Sequence, residues 1–147
     1  MKVVVQRCKK ASCIIDGVTV GKVNSGYMLL VGFRQGDSLE NIQKMVKKIV
    51  NLRIFEDEFG KMNKNIFQTT PLGEILSISQ FTLYANTNEG NRPSFVDAMN
   101  PNDAKVLYKV FNDNLRSAGI HVEEGVFGAD MQIDFVNDGP VTIILEF

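Results

Sequence analysis

The apolar positions of this chain fall into short runs of β type, interrupted by two stretches of helical period. Val3 to Val5 open a β-branched strand, and CIIDGVTVGKV reads as a hairpin whose tight turn is Asp16-Gly17. Tyr27 to Phe33, YMLLVGF, is apolar without a break, the pattern of a buried strand. GDSLENIQKMVKKIVN changes period. Leu39, Ile42, Met45, Val46 and Ile49 fall on one helical face, Glu40, Lys44, Lys47 and Lys48 lie mostly away from it, and Asp37 or Ser38 caps the first turn. FEDEFGKM carries a turn signal at Phe59-Gly60. Glu74 to Tyr84, EILSISQFTLY, predicts a further strand-rich segment, and NTNEGNRPSF a polar loop. A second helix has Asn100 as N-cap and Pro101 in first position. Its stripe is Ala104, Leu107, Tyr108, Phe111, Leu115 and Ala118, and Gly119 ends it. HVEEGVF, MQIDFV and VTIILEF follow. Met131, Ile133 and Phe135 alternate with Gln132 and Asp134, as in a half-buried antiparallel strand.

Asp138-Gly139 between the last two apolar runs is a hairpin signal, yet Pro140 comes next and has no N–H to give a pairing strand. The Gly-Pro pair is either a turn or a piece of backbone shaped for a task. Strands and helices are grouped rather than strictly alternating. This predicts an α+β fold: a compact, mainly antiparallel curved sheet or β-barrel with two helices packed outside. No repeat, low-complexity tract or linker divides the 147 residues, so a single domain, 1–147, is expected.

Hydrophobic residues at 44% and charged residues at 22% give the balance of a soluble globular protein. No apolar run approaches the roughly 20 residues of a membrane helix. MKVVVQRCKK reads as a strand followed by basic residues rather than an export signal. Cys8 and Cys13 do not have C-x-x-C spacing and have no histidine cluster with them, which suits reduced thiols and a cytoplasmic location. With a formal net charge of −1 the chain does not grip long nucleic acid by charge, so any nucleic acid it meets is a short piece at a local patch.

The single histidine, His121, stands beside Val122 and Glu123 in a predicted strand, which suits a strand edge better than a nucleophile's base. No zinc-ligand spacing and no phosphate-binding glycine loop occurs, and Glu56, Asp57 and Glu58 flank a turn. Neither metal nor cofactor is expected. Catalysis here would rest on positioning, backbone dipoles and groups that the substrate brings.

Two motifs end the anonymity of the residues: Ser79-Gln80-Phe81-Thr82-Leu83 and Asn137-Asp138-Gly139-Pro140-Val141-Thr142. Arg92-Pro93-Ser94-Phe95 and Phe127-Gly128-Ala129-Asp130-Met131 lie between them, and VVQR (Val4 to Arg7) and NLRIFED (Asn51 to Asp57) precede them. In this order and spacing the chain resembles the D-aminoacyl-tRNA deacylases over essentially its whole length. The resemblance implies a cytosolic homodimer with a β-barrel-like α+β fold and no cofactor. It also implies hydrolysis of the ester between a D-amino acid and the 3′-terminal adenosine of tRNA, a proofreading step for translation. By the same carry-over Gly139 and Pro140, joined by a cis bond, enter the other subunit's site, hold the α-ammonium, and leave an L side chain no room. Glycine has no side chain to clash, so glycyl-tRNA would leak through.

Ser79, Gln80 and Phe81 would line the site around ester and adenosine. Phe81 offers a stacking face, and Gln80 with nearby N–H groups steadies the carbonyl oxygen. Thr82 is the available hydroxyl nucleophile, but no base is evident for it, and the ribose 2′-OH is the stronger aid to water. Arg7 would brace the Gly-Pro loop or else form a surface ion pair. Met131 borders the pocket or belongs to a core strand. Arg92, Lys9 and Lys10 meet the tRNA end or are simply solvated. Cys8 and Cys13 depart from the small apolar residues expected there. The intact Ser79-Gln80-Phe81 argues against a related deacylase, specific for L-alanine, in which this motif is replaced. The competing readings are a noncatalytic module that binds RNA ends or a protein, and an esterase for small molecules.

Overall fold

The computed structural model describes residues 1–147. Its strands are β1 (Lys2–Ile15), β2 (Val18–Val23), β3 (Gly26–Gly32), β4 (Phe55–Glu56), β5 (Met62–Lys64), β6 (Glu74–Ser79), β7 (Val122–Glu124) and β8 (Gln132–Glu146). Two helices, α1 (Leu39–Asn51) and α2 (Pro101–Ser117), and two short 3-10 turns, Ile66–Gln68 and Phe81–Tyr84, complete the chain. No helix is long and apolar enough to cross a membrane.

β1 organises the sheet. One edge pairs antiparallel with β8 from Lys2 to Ile14. The other edge pairs with β3 over Lys2 to Cys8 and with β2 over Ala11 to Ile15. From β3 the sheet continues through β6 and β7, both parallel. β2 curls over onto this parallel half, so closely that a Cβ on Gly21 would lie 3.1 Å from the Glu124 carbonyl. The result is a nearly closed, barrel-like mixed sheet, within the α+β class that the pattern predicts.

Strand alternation sorts the apolar side chains into two cores. Val3, Val5, Tyr27, Leu29, Val31 and Ile75 face the helices, meeting Ile42, Met45 and Ile49 of α1 and Phe111 and Leu115 of α2. Cys8, Ala11, Cys13, Met28, Leu76 and Ile78 fill the opposite side. β3 contributes to both, which is why its sequence shows no polar interruption. The Tyr108 hydroxyl of α2 donates to the Ser77 carbonyl of β6 at 2.7 Å, pinning helix to sheet.

Ser38 and Asn100 stand at the N-caps, but the Ser38 hydroxyl donates where it was expected to accept: the Asn41 side chain accepts from both its backbone and its hydroxyl at 2.9 Å, whereas Asn100 accepts from the Asn102 N–H at 3.0 Å. Leu39 and Ala118 leave the expected stripes and are exposed, because each sits at a helix end beyond the packed turns. Asp57 closes the β4–β5 turn, accepting from Phe59 and Lys61 N–H groups and from the Asn63 amide. Those hydrogen bonds, that from Asn63 first, hold its carboxyl below the usual range.

Two local expectations are revised. The segment from Glu74 is a strand only as far as Ser79; Gln80 turns the backbone (φ −146, ψ 86) and Phe81 to Tyr84 form a 3-10 turn. Asp138-Gly139 is not a hairpin turn. β8 runs on through it, and both halves pair with the same strand, β1.

Phe111 is fully buried between the helices and the sheet. Phe111→Ala is expected to lower unfolding free energy by about 3–5 kcal/mol, read from urea denaturation, because a buried ring leaves a cavity. A loss under 1 kcal/mol would contradict its place at the centre of this core.

Candidate active site

The C-terminal ends of the two parallel strands β3 and β6 meet at one place. Gln80 continues the ladder for one step, its N–H donating to the Val31 carbonyl at 2.7 Å. The chain then folds back across the end of β3. Gly32 makes this approach possible: a Cβ there would lie 2.9 Å from the Gln80 carbonyl and 3.2 Å from Leu83. The Phe81 and Thr82 N–H groups lead the following 3-10 turn, and first-turn donors have no acceptor within their own helix. The half-buried Ser79 precedes them at the end of β6. Gln80 is committed twice, since its side-chain amide donates to the Thr82 hydroxyl at 2.5 Å. No histidine or carboxylate hydrogen-bonds that hydroxyl, and Thr82 stands on a turn rather than in the strand that the pattern suggests.

Phe81 is 57% exposed, and its ring meets Phe95 edge to face, with centroids 5.0 Å apart at 66°. Phe95 comes from the polar loop after the turn. Its sequence neighbourhood was legible as a motif, but its contact with Phe81 is a product of the fold; the only local signal is an aromatic residue in an otherwise polar loop.

The Gly-Pro element is a wide bulge. Gln6 pairs with Thr142 and Cys8 with Asn137, so Asp138, Gly139, Pro140 and Val141 stand opposite Arg7 alone. Gly139 has φ +116, and its peptide bond to Pro140 is cis. Arg7, 5% exposed, lies inside the bulge. Its Nε donates to the Asp138 carbonyl (3.3 Å) and lies 3.1 Å from the Asp138 carboxylate, its NH1 donates to the Ile54 carbonyl (2.6 Å), and its NH2 is 3.7 Å from Glu56. This is a buried clamp rather than a surface ion pair.

The fold does not bring Gly139 and Pro140 to their own chain's Ser79–Thr82. Ser79 pairs with Val31, Val31 with Val3, and Val3 with Leu145. Pro140 therefore lies three strand spacings, roughly 14 Å, and up to roughly 16 Å along the strand direction from Ser79 when measured over the sheet. Both Gly139 and Pro140 are exposed.

The remaining candidates scatter. Met131 is partly buried against the second core, where a Cβ on Gly125 would come within 2.5 Å of its sulfur. Lys9 pairs with Asp138 at 3.3 Å, and Lys10 and Arg92 are exposed. His121 is at the surface, 3.1 Å from Glu123. Cys8 is buried, which raises its thiol to about 11, and burial raises Cys13 too, so neither is a thiolate near neutral pH.

A protein-family model described as D-Tyr-tRNA(Tyr) deacylase matches residues 4–146. A D-aminoacyl-tRNA deacylase of Lactobacillus gasseri is 53% identical over 146 residues, 99% of either chain. One from Staphylococcus saprophyticus is 55% identical over 146 residues, covering 99% of this chain and 95% of its own. Among solved structures, a c-Myc DNA Unwinding Element Binding Protein superposes with a TM-score of 0.94 at 41% identity, over 100% of this chain and 99% of its own. A probable eukaryotic D-amino acid tRNA deacylase superposes at 0.83 with 19% identity, over 98% and 97%, which shows the common fold.

Removing Arg7 leaves the Ile54 carbonyl without its donor and the Asp138 carboxylate with Lys9 alone. Arg7→Met is expected to cost about 2–3 kcal/mol in urea denaturation, discounted for the partial exposure of Asp138. Arg7→Lys should recover less than half, since one ammonium cannot reproduce the guanidinium fork; full recovery would refute the clamp. In the native protein at pH 8, iodoacetamide should label neither cysteine, whereas both should react after denaturation.

Proposed function

The chain belongs to the D-Tyr-tRNA(Tyr) deacylase family, and we propose that it hydrolyses the ester joining a D-amino acid to the 3′-terminal adenosine of tRNA. It works as a homodimer in the cytoplasm, with each site drawing its ester-holding half from one subunit and its chiral filter from the other. The observation that carries the hydrolytic half is the turn after β6: donor groups without internal acceptors beside an exposed aromatic ring, and no acid–base side chain in reach.

The terminal adenine stacks on Phe81. The ester carbonyl oxygen sits before the Phe81 and Thr82 N–H groups. Gln80's own N–H belongs to the ladder and its side chain to Thr82, so Gln80 shapes this cradle rather than donating its backbone to it. A water oxygen attacks the carbonyl carbon, helped by the ribose 2′-OH that arrives with the substrate. Charge then builds on the carbonyl oxygen, where fixed dipoles stabilise it more than they stabilise the neutral ester. The bond from the carbonyl carbon to the ribose oxygen breaks, that oxygen takes a proton, and the products are the free D-amino acid and tRNA. Thr82 is not needed as a nucleophile.

Two observations support the division between subunits. Register holds Gly139-Pro140 away from its own site. β8 pairs on one side only and carries exposed Val136 and Ile144, with exposed Phe147 just beyond its end, an unpaired apolar edge that suits a second copy. In the partner's site the carbonyls around Gly139 and Pro140 accept from the α-ammonium. With ammonium and ester held, a D side chain leaves the pocket and an L side chain meets backbone. The same filter passes glycine. Met131 and Arg7 act behind it, Arg7 by holding the bulge.

Purified protein should strip D-tyrosyl-tRNA and spare L-tyrosyl-tRNA, with glycyl-tRNA cleaved and D-tyrosine ethyl ester left nearly untouched. Phe81→Ala should lower kcat/KM by roughly 5- to 150-fold, the range of one lost stacking contact. Pro140→Ala should erode the D over L preference more than it lowers stability. No loss of amino acid above the buffer rate ends the enzymatic reading, rapid cleavage of the ethyl ester favours a small-molecule esterase, and full activity in a monomeric sedimentation fraction removes the shared site.

A further inference from the structure

We propose that Phe95 is a positioning residue of this site, one that presets the ring of Phe81 for a purine. The inference rests on the reading of Phe81 as the adenosine platform. Phe81 stands on a short turn and is 57% exposed, and the aromatic ring it meets is that of Phe95. Phe95 is itself 39% exposed and reaches neither hydrophobic core. The two rings meet edge to face at 5.0 Å, a geometry that aromatic quadrupoles favour.

The loop that carries Phe95 is polar but firmly tied. Asn86 and Ser94 exchange two backbone hydrogen bonds at 2.8 and 2.9 Å, closing the loop just before Phe95. Just after it, the Ala98 N–H donates to the Phe95 carbonyl at 3.1 Å and the Met99 N–H to the Phe33 carbonyl, at the end of β3, at 3.0 Å. The backbone of Phe95 is thus fixed from both sides to the strand ends that build the cradle. A free Phe81 ring would have to be ordered by each incoming base, at an entropic cost. A ring already held by Phe95 spares the ligand that cost.

The probe is uncharged tRNA with 2-aminopurine as its 3′-terminal base, whose fluorescence falls on stacking. Phe95→Ala should raise its Kd by about 2- to 10-fold, the span of one aromatic pair. Phe95→Tyr should restore binding, and Phe95→Leu, of similar volume but without a quadrupole, should not. In a Phe81→Ala background, Phe95→Ala should add no further loss. With D-tyrosyl-tRNA, KM should rise by the same factor while kcat changes less than twofold. Wild-type binding by Phe95→Leu, or losses that multiply in the double variant, would overturn the proposal in favour of a simple surface contact. Quenching without hydrolysis by the wild type sinks the enzymatic reading and leaves Phe95 its role. Hydrolysis with no quenching sinks the Phe81 platform and the role of Phe95 with it, and leaves the enzymatic reading standing.

Discussion

A buried guanidinium opposite four residues of an adjacent strand is the constraint on which this architecture turns. β1 and β8 form the longest pairing in the sheet, and the wider of its two register shifts is where Asp138, Gly139, Pro140 and Val141 face Arg7. Pro140 has no N–H for the ladder, and Gly139 holds a positive φ that other residues adopt with strain. Left alone, such a bulge would be a soft spot. Arg7 fills it, reaching the Asp138 carbonyl and carboxylate on one side and the Ile54 carbonyl on the other. A charge this buried needs those partners as much as they need it. The outcome is an exposed Gly-Pro pair displayed on a rigid base.

The same sheet separates the two halves of the chemistry. Parallel pairing of β3 with β6 puts both strands' last residues at one end, where Gln80 turns and two N–H groups emerge beside Phe81. Antiparallel pairing of β1 with β8 puts the Gly-Pro bulge several rungs away. Short-range electrostatics cannot bridge that interval, so in the proposed mechanism a second subunit supplies the missing half. In that proposal a backbone filter faces a backbone cradle, an arrangement that would discriminate by handedness without reading the side chain.

The local environments agree with a mechanism free of side-chain acid–base chemistry. The buried thiols are held protonated, His121 faces solvent beside Glu123, and Asp57 is spent on its own turn. What remains at the strand ends is oriented dipoles and one aromatic surface, and in the proposed mechanism both would act by being fixed before the substrate arrives.

Much of this was legible in the chain. The periods of α1 and α2, the Asp16-Gly17 turn, the caps at Ser38 and Asn100 and the unbroken apolar run of β3 are local signals, and each acts over a few residues. The SQFTL and NDGPVT motifs stood out as well, and they fall on the turn after β6 and on the bulge in β8. The fold decided where those residues sit and what they meet, because that depends on partners far along the chain. Whether Asp138-Gly139 turned back or bulged depended on β1 being long enough to pair with both sides of it. Whether Arg7 was a surface ion or a buried clamp depended on Ile54 and Asp138 closing over it. The strand predicted through Tyr84 stopped at Ser79 because β3 ends there, at Gly32 and Phe33, and leaves the chain no further edge to follow. Side-chain period reports which face a residue shows; only the pairing of distant strands decides which residue it meets.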